Sequence, residues 1–557
     1  MIGFPPAAWL GRYSARAARS DLVSGVTLAA YAIPVALAYA ALAGLPPQVG
    51  IYGYMLGGIG YALLGSSRQL AIGPTSAISL MVGASVAGMA GGDPARHLEI
   101  ATLTAFAVAL VCLVAWVARL SVLVKLISDS VLIGFRAGAG ITIALTQMPS
   151  LFGVPGGGTN VIERVVLLAG QIPGTNPVTL ALGAAAIALL LLGARRMPTW
   201  PVGLGVVVLG ILCVTAFGLR ARGVVVTGAI PPGLPGIGLP SLGFADVDGI
   251  FPLAAGCVLL AYIEGISAAR SFAEKHGYDV NPRQELLALG SANLFAGLGG
   301  AYPVAGGLSQ TAVNERAGAV SPLSLLVCSA TLAFCLLFLT GPLADLPKAV
   351  LAAIVLTAVA GLIDLRALAR LCQLSRTDFV AAAVALAGVL LFGILQGVLL
   401  AALASVLMLL LRASRPHVAF LGRVPGTAIF GDTERHPDNL PIEGVLAFRP
   451  EASLLYVNAD NVLDAVRKRL DAGDRPIRLV VCDLSSSPTM DLAGARMLRT
   501  LHDLVSARRI GLRIVGARGR VRDLLRREGL AALVGGIERD VSLDQVASEA
   551  GGTKTEP

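Results

Sequence analysis

The sequence predicts an all-α polytopic membrane domain followed by a small α/β domain, and three observations carry that prediction. Of 557 residues, 55% are hydrophobic and only 14% are charged, too few polar groups to cover a water-exposed protein of this size. The charges are unevenly placed: residues 440–557 hold 18 Lys/Arg and 16 Asp/Glu, 34 of the 77 charged groups in the chain. Apolar runs able to cross, or half cross, a hydrocarbon layer of about 30 Å recur from Asp21 to Leu411 and then stop.

These runs divide into fourteen segments: 21–43, 48–65, 70–92, 98–118, 121–149, 176–193, 200–217, 248–273, 283–297, 301–316, 319–341, 346–361, 376–393 and 395–411. An even number puts both termini on one side. With that side cytosolic, seventeen Lys/Arg of the short loops fall inside, from Arg12 through Lys125 to Arg415. Only Arg96, Arg164, Arg220, Arg222 and Lys348 fall outside. This is the positive-inside bias, and it predicts a multi-pass protein of the inner (plasma) membrane with cytosolic termini. It also accounts for the net charge of +9 without nucleic acid, since no basic run with interleaved aromatics is present. Residues 1–20 carry no apolar core ahead of a cleavage site and read as a cytosolic segment. Seven cysteines without CxxC spacing predict neither disulfides nor a metal centre, and no cofactor is expected.

Two spans are irregular. Segment 70–92 opens Leu-Ala-Ile-Gly-Pro-Thr-Ser-Ala, and segment 301–316 opens Ala-Tyr-Pro-Val-Ala-Gly-Gly-Leu-Ser-Gln. Each reads as a short extended piece, a Gly/Pro break and a helix start. They stand third in the first seven spans and third in the second seven. Interrupted helices at matching positions point to a 7+7 inverted repeat with its site near mid-membrane.

After the membrane region (21–412) comes a Pro/Gly-rich stretch, 413–439, expected to be a polar linker. Residues 440–550 alternate strand-like runs (444–448, 454–457, 477–482, 512–516) with amphipathic helices (460–470, 492–505, 521–528), as a small α/β domain does. Residues 551–557 are a tail.

Several motifs in order resemble one family. Asp21-Leu-Val-Ser-Gly-Val-Thr, Ile33-Pro34, Leu37-Ala-Tyr-Ala40 and Gly44-Leu-Pro-Pro47 resemble the opening signature of SulP (sulfate permease) transporters. Gly65-Ser-Ser-Arg-Gln69 with Ile72-Gly-Pro-Thr-Ser76 is similar to the third-span signature. Ala269-Arg-Ser-Phe-Ala273, Asn281, Glu285-Leu-Leu-Ala288 and Ser309-Gln-Thr-Ala-Val-Asn314 match later ones. In the tail, Asp483-Leu-Ser and Asp491-Leu-Ala-Gly494 resemble a STAS domain. The resemblance implies core and gate domains, a homodimer, and transport of inorganic anions or small carboxylates as symporter, exchanger or channel.

An anion in a low-dielectric cavity needs positive potential, which two convergent helix N-termini supply through free N–H groups. The expected substrate contacts are therefore Thr75, Ser76 and Ala77 from one broken span, and Gly306, Gly307, Leu308, Ser309 and Gln310 from the other. Glu264 lies in Leu259-Leu-Ala-Tyr-Ile-Glu-Gly-Ile-Ser267. A carboxylate so placed is costly and marks an ion pathway; the resemblance implies that it couples transport, whereas the plainer reading is an ion pair with Arg270. Tyr39, by resemblance, lines the cavity. Arg136 either reaches the cytosolic face or lines the cavity. Many relatives carry Gln where Val35 stands and Arg where Gln310 stands, so the site is expected to rest on helix ends. Ala268 replaces a hydroxyl of sodium-coupled relatives, which favours protons over sodium. In the STAS part, Leu492 stands where a phosphorylated Ser would be, so phosphorylation there is not expected; a nucleotide-binding or dimer-organising role stays open, as does a cytosolic protein partner.

The expected function is secondary active anion transport, proton-coupled sulfate uptake foremost, with bicarbonate or C4-dicarboxylate transport as the alternative. A membrane-anchored STAS sensor and a nucleobase permease are further readings. An enzyme is not expected, because none of the five histidines pairs with a nucleophile in one segment.

Overall fold

The computed structural model describes residues 14–120, 128–158, 160–197, 201–239, 247–473, 476–537, 539 and 541–550. Arg12, Lys125, the start of segment 121–149 and the tail 551–557 lie outside them. The chain forms two compact units, divided between Ser405 and Val406.

In the first unit, α1 (Ala15–Leu42) and α2 (Pro47–Leu64) precede a two-residue strand, β1 (Ile72–Gly73), and then α3 (Ser76–Ala90). There follow α4 (Pro94–Val117), α5 (Asp129–Phe152), α6 (Val161–Gln171), α7 (Pro177–Arg196) and α8 (Val202–Phe217). The second half repeats the order: α9 (Val247–Lys275), α10 (Pro282–Leu298), β2 (Ala305–Gly306), α11 (Leu308–Arg316), α12 (Leu323–Phe338), α13 (Thr340–Leu343), α14 (Lys348–Ala360), α15 (Leu365–Leu374), α16 (Arg376–Phe392) and α17 (Ile394–Ser414). Each predicted segment contains a helix, and segments three and ten are the strand–helix pairs. Within this unit the four-residue α13 runs past the end of segment 319–341, and two further helices, α6 and α15, were not predicted. They are short and amphipathic, each follows the fifth span of its half, and each is started by a side-chain cap, Asn160 accepting from Glu163 N and Asp364 from Ala367 N.

Among the described residues, seven helical stretches are long and apolar enough to cross a membrane, one of them running from Lys348 to Leu374 through α14 and α15. α3, α8 and α12 are apolar but shorter, and α3 needs β1 to complete its crossing. Large aliphatic side chains stay exposed on the outer faces, for example Leu110, Leu212 and Leu403. That pattern suits lipid rather than water.

The helices pack as two sets. α1, α2, α4, α10 and α12 contact one another and enclose β1, β2 and α9; α5, α7, α14 and α16 form the other set. This is the core-and-gate division. β1 and β2 pair antiparallel, Ile72 opposite Gly306 and Gly73 opposite Ala305. Antiparallel pairing of equivalent elements is the local signature of an inverted repeat. Gly73 is required here, because a Cβ would lie 2.3 Å from the Tyr54 ring.

The second unit holds a five-stranded sheet of order β4-β3-β5-β6-β7, built from β3 (Val418–Arg423), β4 (Phe430–Asp432), β5 (Val445–Pro450), β6 (Leu479–Asp483) and β7 (Gly511–Val515). β4, β3 and β5 are antiparallel, and β5, β6 and β7 parallel. On one face lie α18 (Ala459–Asp471), α19 (Leu492–Ala507), α20 (Gly519–Arg527) and α21 (Leu530–Leu533); on the other, α22 (Leu543–Ala550).

Two expectations are corrected. The stretch 413–439 is not simply a linker: its apolar Val418-Ala-Phe-Leu run forms β3, buried beside β5, while Pro425 and Gly426 only turn the chain toward β4. Residues 454–457 are not a strand. Their N–H groups are taken by side chains, Tyr456 N by Asp491 Oδ2 (2.8 Å) and Leu455 N by Asn458 Oδ1 (3.0 Å), leaving a single bridge from Leu454 to Met490.

Candidate functional site

The two broken spans are fastened to each other by buried side chains. Gln310 Nε2 donates to Ala71 O and to Ala305 O, both at 3.0 Å, and its Oε1 accepts from the Tyr54 hydroxyl. Thr311 Oγ1 accepts from Ala71 N (3.2 Å), and Asn314 Nδ2 donates to Gln69 O (3.0 Å). On its far side the lead into β1 is held by Glu285, whose carboxylate accepts from Ser66 N, Ser66 Oγ, Ser67 N and the Tyr61 hydroxyl at 2.7–3.1 Å. A buried carboxylate with this many donors is a structural fixture.

What this clamp holds in place is a pair of open helix ends. α1, α4, α5, α7, α10 and α16 each start on a Ser, Asp or Asn side-chain cap. α3 and α11 start on Thr75 and Gly307 with no side-chain cap. Their first intrahelical bonds run from Ser79 N and Thr311 N, so three N–H groups on each remain to be satisfied from outside. The Thr75 hydroxyl is also buried without a partner.

Both ends border one cavity of about 440 Å³. Of the predicted contacts, Tyr39, Thr75, Ser76, Gly307, Leu308, Ser309 and Gln310 line it, and Glu264 and Arg136 face it as well. Tyr39 and Ser76 meet through a side-chain hydrogen bond. Gly306 does not line the cavity: it is occupied in the β1–β2 pair, and a Cβ there would stand 3.0 Å from Gly265 Cα. This close approach seats Glu264, the residue before Gly265, beside α11. Ala77 does not line the cavity either; it is buried. Gln310 borders the cavity with both amide protons already donated.

Arg136 lines the cavity and acts electrostatically on Glu264, whereas Arg270 is exposed on α9. The charge facing Glu264 therefore comes from α5 in the other helix set. Sequence reasoning missed Tyr31, Ser267, Ser271 and Asp364, which also border the cavity. Ser267 and Ser271 follow Glu264 at i+3 and i+7, a helical stripe that spacing could have shown. They supply hydroxyls near the position where Ala268 lacks one. Asp364 belongs to α15, which sequence reasoning did not predict.

Residues 19–385 match the model of the sulfate permease family, and residues 436–543 match the STAS domain. The chain belongs to the sulfate permease family. A Mycobacterium tuberculosis protein named a probable sulfate transporter is 34% identical over 523 residues, covering 94% of this chain and 93% of its own length. Sulfate transporter 4.1, chloroplastic, of Arabidopsis thaliana is 30% identical, with 96% and 80% covered. Among solved structures, the murine Solute Carrier 26 family member A9 anion transporter superposes with a TM-score of 0.89 at 21% identity, over 99% of this chain and 96% of its own. The transmembrane domain of the cyanobacterial bicarbonate transporter BicA gives 0.61 at 24%, over 71% and 99%. This sulfate permease family member is thus a multi-pass membrane anion transporter with a C-terminal STAS domain, and not an enzyme.

Proposed function

We propose that the protein carries out proton-coupled uptake of a small oxyanion, sulfate foremost, with the anion held by the open ends of α3 and α11. The observation that carries this reading is the pair of uncapped helix N-termini bordering one cavity with Thr75, Arg136 and Glu264. About half a positive charge at each end, in a medium of low dielectric, attracts an anion without a dedicated side-chain cation. Tyr39, Ser76 and Ser309 are the remaining contacts, while Gln310 and Gly306 serve by holding the ends in position. Arg136 adds the full charge that position 310 lacks.

Glu264 is the coupling group. Protonated, it leaves Arg136 free to attract the anion; ionised, it competes for Arg136 and repels the anion. Binding of proton and anion is therefore mutually favourable, which is the thermodynamic requirement for symport. Relatives named sulfate transporters support sulfate over other anions. The protein works in the inner (plasma) membrane as a homodimer with both termini cytosolic, and its STAS domain takes a cytosolic protein partner.

Uptake of labelled sulfate, bicarbonate and succinate into proteoliposomes, with and without an inward proton gradient, tests this. Sulfate accumulation that follows the gradient is expected. Preference for bicarbonate or succinate would replace the substrate, and gradient-independent accumulation would remove the coupling. Glu264→Gln is expected to lose gradient-driven accumulation while retaining anion exchange.

A further inference from the structure

A second cavity, of about 360 Å³, adjoins the anion cavity and shares Tyr31, Ser309 and Ala358 with it. Its walls come from α1 of one helix set and α7 and α14 of the other, together with α8 and α11. The chemistry differs from that of the first cavity. Thr27 already donates to Val23 O (2.8 Å) and Thr357 to Ala353 O (2.9 Å), so neither has a proton to offer. Most of the remaining lining is apolar, including Pro34, Val35, Leu190, Leu191 and Ile354. Leu191 is 52% exposed on the outer face of α7, where the surrounding medium of a membrane span is lipid. Among the described residues the single charge on the lining is Arg316, the last residue of α11, exposed and in no ion pair. Its neighbour Glu315 is committed to Lys275 (2.7 Å) and His276 (3.0 Å).

A small hydrated anion is poorly served by such a place. It would shed water against aliphatic walls and gain one guanidinium. An amphiphile with an anionic head satisfies both parts, the head on Arg316 and each buried methylene adding transfer free energy. We propose that this cavity binds a long-chain carboxylate drawn from the bilayer, its carboxylate on Arg316 and its chain running along α7 and α14 toward Tyr31. The bound chain wedges between the two helix sets and slows movement of one against the other.

A photoreactive palmitate carrying a diazirine, added to proteoliposomes of the full-length protein, tests the proposal by mass-spectrometric mapping of the labelled peptides. Saturable labelling of the peptides around Leu190–Ala194 and Ile354–Ala358 is expected. It falls at least tenfold in Arg316→Gln and survives in Arg316→Lys. Gly203→Leu abolishes it by filling the cavity, since a Cβ at Gly203 meets only Pro34 Cγ, at 3.9 Å. Equal labelling in Arg316→Gln, or by the alcohol of the same chain length, would overturn the proposal. So would label that moves to Thr75–Ser76 and is displaced by saturating sulfate, which would place the carboxylate in the anion cavity. The label is read without transport, so failure of sulfate uptake would count against the proposed function alone.

Discussion

The two broken spans share one backbone plan and divide the side-chain work unequally. At α3, Thr75 keeps an unpartnered hydroxyl against the cavity, while the Ser76 hydroxyl is shared with Tyr39. At α11, Gln310 spends both amide protons and its carbonyl oxygen on the β1 and β2 backbone and on Tyr54. The two repeats therefore present matched open N–H groups and a hydroxyl each, but the side chain at position 310 is spent on the clamp whereas the buried Thr75 hydroxyl is not. A symmetric backbone can support an asymmetric site, because the strand pair needs clamping only once.

The largest expected effect comes from removing the clamp. Gln310→Ala leaves Ala71 O, Ala305 O and the Tyr54 hydroxyl without partners, each unmade bond costing about 1–3 kcal/mol. The melting temperature should drop and uptake should be lost with it. A variant that melts normally would show that Gln310 is not the fastener. Thr75→Val is the opposite case: it breaks no hydrogen bond and is nearly isosteric. Thermal stability should hold or rise while the KM for the anion increases about tenfold, equivalent to about 1.4 kcal/mol of lost contact. An unchanged KM would mean that the hydroxyl does not touch the anion.

Arg136→Gln asks whether a full charge from the other helix set completes the site. A several-fold rise in KM, with a weaker dependence of the initial rate on ionic strength, is expected from loss of a focused positive potential. Retention of both would return the site to helix ends alone.

The smallest effect lies in the soluble unit. Burial opposes ionisation of Asp432, but hydrogen bonds from His417 (2.6 Å) and from Glu434 N (2.9 Å) outweigh it and hold this carboxyl below the usual carboxylate range. A group depressed in the folded state stabilises above its unfolded value, and that contribution is lost as pH falls through the folded value. Amide protection factors in β3 and β4, taken relative to intrinsic exchange at each pH, should therefore fall on acidification. Asp432→Asn should flatten that acid response, and an unaltered profile would assign it to other carboxylates.

Much of this was legible in the sequence because it depends on local physics. Hydropathy gave the spans, and the Gly/Pro breaks at matching positions announced the repeat. A carboxylate inside an apolar run announced Glu264. The elements that were missed depend on context: α6 and α15 are too short and polar for a hydropathy reading, and β3 hides in a stretch that Pro and Gly make resemble a linker. Chain spacing could have added Ser267 and Ser271, whereas Asp364 becomes visible only when α15 is folded.

The sequence by itself determined the membrane class, the inverted repeat and the family, since solvent preference and backbone breaks are written residue by residue. Only the tertiary structure decided which polar groups are free. It assigned Gln310 to the clamp and left the Thr75 hydroxyl open. It also set Arg136 rather than Arg270 against Glu264, because whether a donor is spent or available depends on neighbours that lie 239 residues apart along the chain, as Ala71 and Gln310 do.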